Sequence, residues 1–260
     1  MINKIQSFLK FILKSSNQHD VHSPFVYDFI TKCLYNKELI SNRNIKQIHE
    51  FKQDLFHKNN TITVTDFGAG SQIFKSNSRK ISAIAKNAGI SNKRNKLLYQ
   101  IAQYFKPHQI LEIGASLGIA TASLALASPK AKITTLEGCP ETAKIAQNQF
   151  NKFDLTNINL IIGNFKDTLP IAIENKKYDL IYFDGNHQKL ATIDYFEQCL
   201  STTNNKSIFI FDDIYWNKDM IEAWNYIKNH KKVTVSIDTF QWGIVFFRKE
   251  QPKEHFTIRV

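Results

Sequence analysis

Three aspartates follow two short apolar runs in the second half of the chain. Asp184 ends the run YDLIYFD, and Asp212 and Asp213 end SIFIFDD. If the runs are adjacent parallel strands, the three carboxylates repel one another unless a hard cation such as Mg²⁺ lies among them. Such a cation would lower the pKa of a bound hydroxyl. The competing interpretation is that Asp184 contacts only a cofactor and that Asp212 and Asp213 cap the next helix.

A second group of residues indicates nucleoside binding. In ILEIGASLG, residues 110–118, an apolar run ends near Glu112, and the glycines that follow allow the backbone to approach a ligand closely. Glu137 ends the next apolar run. An acidic residue at that place accepts hydrogen bonds from ribose hydroxyls in nucleoside-binding α/β sheets. The dinucleotide pattern GxGxxG is absent, because Ser116 stands at its second glycine and Gly118 falls at another offset. S-adenosylmethionine, which lacks a pyrophosphate, fits better than NAD.

The loop VTDFGAGS, residues 64–71, resembles a second cofactor loop and contains a kinase-like DFG triplet. Residues 72–95 show no clear strand pattern and no acidic residue, so the loop lacks the supporting context of residues 110–137. We therefore predict that residues Asp66–Gly70 form a structural turn. A role on a lid or substrate loop is the alternative.

The elements that position these groups alternate regularly after Asn95. Strand-like runs of five to seven residues are separated by helical segments, which predicts a doubly wound, Rossmann-like α/β sheet of seven strands. The last two runs, VTVSIDT and GIVFFRK, are joined too closely for a parallel crossover, so the final strand should be reversed. We predict a catalytic domain over 96–260, preceded by a helical, basic extension with a short strand and loop over 1–95.

The charge distribution and the cysteines indicate the broad class of protein and its cellular compartment. The formal net charge is +11, and most of it belongs to residues 1–95. A basic extension could guide an anionic substrate such as RNA, although no basic run interleaved with aromatics supports this over a solvated surface. Three scattered cysteines without metal spacing indicate free thiols in a reducing compartment. No apolar run is long enough to span a membrane, and we expect a cytoplasmic protein.

The N-terminal residues have an amphipathic helical pattern. Apolar side chains recur at Ile2, Ile5, Phe8, Leu9, Ile12 and Leu13, with lysines at positions 4, 10 and 14. Binding to a membrane surface is one interpretation of this pattern. Packing of the apolar face against the rest of the protein is the interpretation that we favour.

Residues 89–250 resemble the class I S-adenosylmethionine-dependent methyltransferases. Within that class they are most similar to small-molecule O-methyltransferases of the catechol O-methyltransferase type and to related uncharacterised bacterial methyltransferases. The segment ILEIGASLG matches the family's first motif, GNFKDTLP (163–170) its adenine loop, and YFDGNH (182–187) the motif after the fourth strand. The reversed last strand is also typical of this fold.

The resemblance implies a set of site residues. The cofactor would be held by Glu112, Gly114, Ala115, Ser116, Gly118, Glu137, Gly138, Asn164, Phe165 and Asp184, with Asn164 and Phe165 at the adenine. In metal-dependent members, residues at the positions of Asp184, Asp212 and Asp213 bind Mg²⁺ or another divalent cation. The family often has a lysine base three residues after the first of these; this chain has His187 there, which can act as a base near neutral pH.

We therefore expect SN2 transfer of a methyl group from S-adenosylmethionine to an oxygen of a small-molecule acceptor, either with or without a metal. An RNA or protein methyltransferase that docks its substrate on the basic extension is an alternative. A non-catalytic cofactor-binding module is another. The sequence does not indicate an oligomeric state.

Overall fold

The computed structural model describes residues 4–68, 70 and 74–260. Ten α-helices are assigned in these ranges: α1 (Lys4–Lys14), α2 (Pro24–Asp28), α3 (Asn42–Phe56), α4 (Ile81–Asn87), α5 (Asn92–Phe105), α6 (Ile119–Ala127), α7 (Pro140–Lys152), α8 (Phe165–Ile173), α9 (Lys189–Cys199) and α10 (Lys218–Asn229). A π-helical turn over Phe29–Leu34 continues α2. None of the described helices is long and apolar enough to cross a membrane.

The same ranges contain ten strands: β1 (Thr61–Thr63), β2 (Ser78–Lys80), β3 (Gln109–Ile113), β4 (Lys132–Glu137), β5 (Ile158–Ile162), β6 (Leu180–Phe183), β7 (Ile208–Asp212), β8 (Val235–Asp238), β9 (Trp242–Phe246) and β10 (Glu254–Thr257). Strands β3 to β9 are the seven that the alternating pattern predicts. The last of them, β9, pairs antiparallel with both β7 and β8, as expected from the short link before it.

The chain divides into two compact units, of which the first comprises Asn36–Ala172. Its sheet has the parallel order β3–β4–β5, with Ile113 opposite Leu136 and Glu137 opposite Ile162. Ile110 and Leu111 of β3 are fully buried, as expected for a parallel strand covered on both faces. Helix α5 begins at the cap Ser91, whose side chain accepts a hydrogen bond from the amide of Arg94.

The second unit joins the residues up to Tyr35 to Ile173–Val260. Its strand order is β10–β8–β9–β7–β6, in which β6 and β7 are parallel. Phe25 and Phe29 of the N-terminal helices pack edge-on against Phe246 of β9, so the first 35 residues share a core with the end of the chain. The predicted domain boundary between residues 95 and 96 does not coincide with the boundaries of these units, and it stays a prediction.

Two strands were not expected. The prediction of no second strand after the loop at residues 64–71 is wrong, because β2 pairs antiparallel with β1, with Thr61 opposite Lys80. The missed strand has the sequence SRK, in which apolar and polar residues do not alternate. Two of its three residues are exposed. Strand β10 pairs parallel with β8 at the edge of its sheet and adds an eighth strand to the predicted seven.

Candidate cofactor and catalytic site

The turn after β3 is fastened to the end of β4. The amides of Gly114 and Ala115 both donate to the carbonyl oxygen of Leu136, at 3.0 and 2.9 Å. Gly114 has a φ of 104°, and Ser116 a φ of 48°, so the backbone turns sharply here. The amide of Ser116 then donates to Glu137 Oε2 at 2.7 Å. The predicted cofactor turn and the predicted ribose acid are therefore in direct contact.

Glu137 is held in one orientation by backbone amides. Besides Ser116, the amide of Cys139 donates to its Oε1 atom at 2.9 Å. Burial raises the pKa of the Glu137 carboxyl, amide hydrogen bonds oppose this, and the nearby charge of Asp66 adds to the rise. A carboxylate has about four lone-pair positions, so a ligand's hydroxyl groups can still donate to this one.

Glu112 is a buried carboxyl group beneath the same turn. It is fully buried, and its Oε2 atom accepts hydrogen bonds from the hydroxyl groups of Thr121 and Thr135. Its Oε1 atom has no hydrogen-bond partner among the described residues. Burial raises the pKa of Glu112 to about 7. A buried acceptor without a donor fits a ligand cation, and the ammonium group of an amino-acid tail is such a cation.

Gly118 has a structural role that the sequence did not show. It is the N-terminal cap residue of α6, with a φ of +81°, and a Cβ atom there would lie 2.4 Å from Phe150 Cε1 of α7. The phenyl ring of Phe150 thus occupies the space in which a side chain would stand. Close packing of two helices, as well as approach to a ligand, explains a glycine at this position.

The predicted adenine residues follow β5 directly. The amide of Gly163 donates to the carbonyl of Glu137 at 2.9 Å, which fixes this loop beside the ribose acid. Asn164 Oδ1 accepts a hydrogen bond from the amide of Lys166 at the start of α8. Phe165 is 9% exposed, so most of its ring belongs to the core. Asn164 remains the more accessible of the two predicted contacts.

An aromatic residue from the DFG loop lies beside this site and was not predicted as part of it. A Cβ atom on Gly138 would lie 2.9 Å from Phe67 Cδ2, so the Phe67 ring packs on the backbone next to Glu137. Phe67 is nevertheless 47% exposed. The amide of Thr65 donates to Cys139 Sγ at 3.3 Å, and Arg79 lies 3.6 Å from the Asp66 carboxylate. These contacts hold the described part of the loop against the end of β4.

The other predicted residues belong to the second unit, at the ends of β6 and β7. His187 Nε2 lies 3.9 Å from Asp184 Oδ1, within the range of an ion pair if the imidazole is protonated. The carbonyl oxygen of His187 accepts a hydrogen bond from the side chain of Asn217 at 3.4 Å. Both the His187 and the Asp184 side chains are about a quarter exposed, so solvent and ligands can reach them.

The structure does not support the predicted metal ligands. Asp212 is 3% exposed, and its carboxylate accepts hydrogen bonds from the Tyr182 hydroxyl at 3.0 Å and from the Asp213 amide at 2.8 Å. Within residues 4–68, 70 and 74–260, no three His, Cys, Asp or Glu side chains are grouped so that they could hold a metal ion. Because Asp212 is also almost wholly buried, Asp184, Asp212 and Asp213 do not fit a metal as they stand.

Comparison with known proteins identifies the kind of domain and the fold. Residues 111–214 match a family model described as a methyltransferase domain. The solved S-adenosylhomocysteine-bound methyltransferase PaMTH1 of Podospora anserina is 16% identical, with a TM-score of 0.61, over 88% of this chain and 97% of its own. The O-methyltransferase TomG of Streptomyces achromogenes, involved in tomaymycin synthesis and solved with S-adenosylmethionine, is 18% identical, with a TM-score of 0.55, over 62% of this chain and 82% of its own.

A third structure, the O-methyltransferase of Bacillus cereus in complex with S-adenosylhomocysteine, is 17% identical, with a TM-score of 0.54, over 86% of this chain and 97% of its own. The chain contains a methyltransferase domain with a Rossmann-like α/β fold and one reversed strand. The predicted fold class, the resemblance to class I S-adenosylmethionine-dependent methyltransferases and the prediction of an enzyme of that class are confirmed.

Proposed function

We propose that this protein transfers the methyl group of S-adenosylmethionine to an oxygen atom of a small-molecule acceptor. The observation that carries the proposal is the contact between the turn after β3 and Glu137, whose carboxylate is oriented by the amides of Ser116 and Cys139. The O-methyltransferases among the structural neighbours support the choice of oxygen as the acceptor atom.

The cofactor is assigned to residues of the Asn36–Ala172 unit. Glu137 would accept hydrogen bonds from the ribose hydroxyls, and Gly138 and Asn164 would hold the adenine. The unpartnered oxygen of buried Glu112 would balance the ammonium group of the amino-acid tail, for which the turn at Gly114 and Ser116 would provide the binding surface. Phe67 joins this set, because its exposed ring surface lies next to Gly138 and aromatic rings stack on nucleobases.

Methyl transfer needs a base for the acceptor's proton and an acceptor oxygen aligned with the methyl group. As the acceptor oxygen attacks the methyl carbon, the bond from that carbon to sulfur breaks and its electron pair returns to sulfur. The product cofactor is S-adenosylhomocysteine. His187 is assigned as the base that takes the acceptor's hydroxyl proton, and Asp184, 3.9 Å away, stabilises the imidazolium that forms. We assign no step to a metal ion, because Asp212 is 3% exposed and the described residues contain no group of side chains that could hold one.

The proposal is tested in two stages with the full chain. Calorimetry with S-adenosylhomocysteine measures cofactor binding, and a panel of catechols and phenols then measures methyl transfer through release of S-adenosylhomocysteine. Binding together with turnover of at least one phenolic acceptor supports the proposal. If the protein binds the cofactor and methylates RNA or a protein but none of these phenols, the acceptor is a macromolecule and not a small molecule. No binding at all would reject the cofactor assignment.

A further inference from the structure

Helix α1 presents an exposed apolar face. Four of its apolar side chains lie on one side and are well exposed: Ile5 at 65%, Leu9 at 56%, Ile12 at 36% and Leu13 at 87%. Successive positions in a helix are about 100° apart, so these residues form one continuous stripe along the helix. Transfer of such a stripe from water into another apolar phase is favourable.

The opposite side of α1 anchors the helix to its own unit. Phe11 is buried, and the Phe8 ring packs edge-on against Phe240 at a centroid distance of 5.0 Å. The ammonium group of Lys4 lies 5.3 Å from the Trp216 ring centroid. The predicted packing of the apolar face therefore holds for Phe11 and in part for Phe8, and it leaves Ile5, Leu9, Ile12 and Leu13 largely exposed. Ile2 of the predicted face lies outside the described residues. The helix is fixed with its apolar stripe directed away from the unit.

Basic side chains accompany the exposed stripe. Lys10 and Lys14 are exposed, and α1 contains no acidic residue. An apolar stripe with lysines on the adjoining face is the pattern of helices that lie in the interface of an anionic bilayer.

We propose that α1 docks this protein on the surface of an anionic lipid bilayer, with Leu9, Ile12 and Leu13 inserted among the acyl chains and Lys10 and Lys14 at the headgroups. A second copy of the chain fits the stripe less well. An 11-residue helix is about 16 Å long and about 10 Å wide, so the face covers roughly 160 Å². A stable protein interface needs about 800 Å² on each partner. Face-to-face pairing would also bring like charges together.

The test is sedimentation of the full chain with vesicles of phosphatidylcholine alone or mixed with phosphatidylglycerol. We expect binding to the anionic vesicles that weakens as salt is added, because the lysines act through screened electrostatic attraction. Leu13→Glu should lower the partition coefficient about tenfold or more, because burial of one leucine contributes about that factor. Replacing Lys10 with Ala should lower it about fivefold.

Leu190→Glu is the matched control, because Leu190 is 80% exposed on α9 of the same unit. This variant should bind vesicles as the wild type does, and circular dichroism should show that both glutamate variants are folded. The proposal is overturned if the wild type ignores anionic vesicles at low salt, or if Leu13→Glu binds them as well as the wild type. It is also overturned if sedimentation shows a dimer that Leu13→Glu dissociates. Vesicle binding does not depend on methyl transfer. The membrane proposal can therefore fail while the proposed methyltransferase function holds, and the reverse is also possible.

Discussion

The Phe67 ring packs on the backbone of Gly138, so closely that a Cβ atom there would lie 2.9 Å from Phe67 Cδ2. Gly138 directly follows Glu137, the residue assigned to the ribose. A loop that precedes the first strand of the methyltransferase domain thus supplies an aromatic surface at a position where the domain itself has no side chain. The proposed function therefore assigns the DFG loop a part in cofactor binding.

Phe67→Ala should therefore weaken binding of S-adenosylhomocysteine about tenfold, because loss of one aromatic ring from a stacked base costs about 1–3 kcal/mol. Calorimetry measures the change. The effect should be the same for 5′-methylthioadenosine, which keeps the nucleoside and lacks the amino-acid tail. Phe67→Tyr should retain most of the affinity, since it keeps the ring.

Tyr226→Ala is a suitable control for the Phe67 variant. Tyr226 is 45% exposed, close to the value for Phe67, and its hydroxyl donates to Glu197 on α9. Removing it should leave the affinity for S-adenosylhomocysteine unchanged. If Phe67→Ala is folded and binds as tightly as this control, the DFG loop is only a structural turn.

Gly118→Ala should lower the free energy of unfolding by more than Gly70→Ala does. Both glycines have a φ near +80°, so both variants bear the strain of a left-handed backbone, about 1 kcal/mol. Only at Gly118 would the new methyl group meet the Phe150 ring, at 2.4 Å, which adds about 1–3 kcal/mol of overpacking. Urea unfolding of the two variants measures this difference. If both variants lose the same free energy of unfolding, the Phe150 ring moves aside without a free-energy cost.

Glu112 should make cofactor binding depend on pH. Its pKa of about 7 lies above the ordinary 4.5, so the folded apo protein holds a proton that the unfolded chain releases. This contribution to stability is present below about pH 4.5 and is lost as the pH rises through about 7. The ammonium group of the cofactor favours ionised Glu112, so S-adenosylhomocysteine should bind about tenfold more tightly at about pH 8 than at about pH 6.

Glu112→Gln should remove most of this pH dependence, because glutamine does not titrate. Calorimetry of the wild type and the variant over the same pH range makes the comparison. The same pH profile in both proteins would assign the dependence to another group.

Methyl transfer should persist in excess chelator, because Asp212 is 3% exposed and the described residues contain no group of side chains that could hold a metal ion. His187→Gln should lower kcat about 100-fold or more, as expected when a general base is lost. Both rates are measured with the best acceptor of the phenolic panel. Loss of activity on chelation, restored by Mg²⁺, would contradict the first expectation. If His187→Gln leaves kcat unchanged, His187 is not the base.

The regular part of the fold could be predicted from local patterns. Strand β3 lies where the sequence shows a short apolar run before a glycine turn, a pattern that is easily recognised. The same applies to the contact between the turn at Ser116 and Glu137, because carboxyl ends of adjacent parallel strands meet at one edge. Periodicity and strand order are sufficient for this part of the site.

Contacts between segments that are distant in the sequence could not be predicted from local patterns. Phe67 and Gly138 are far apart in the sequence, and no local pattern connects them. The burial of Asp212 was also hidden, because an aspartate at a strand end looks the same whether it faces a ligand or accepts a hydrogen bond from Tyr182. The pattern in α1 showed an amphipathic helix, although it did not show that Phe11 would be buried while Leu13 stayed exposed.

Glu137 is the residue on which the account depends, and calorimetric titration of S-adenosylhomocysteine into the wild type and Glu137→Ala tests it most directly. The wild type should bind the nucleoside. The variant should bind at least about tenfold more weakly, because it loses charge-assisted hydrogen bonds to the ribose hydroxyls. A folded wild-type protein without affinity for this nucleoside, or a variant with unchanged affinity, would contradict the account.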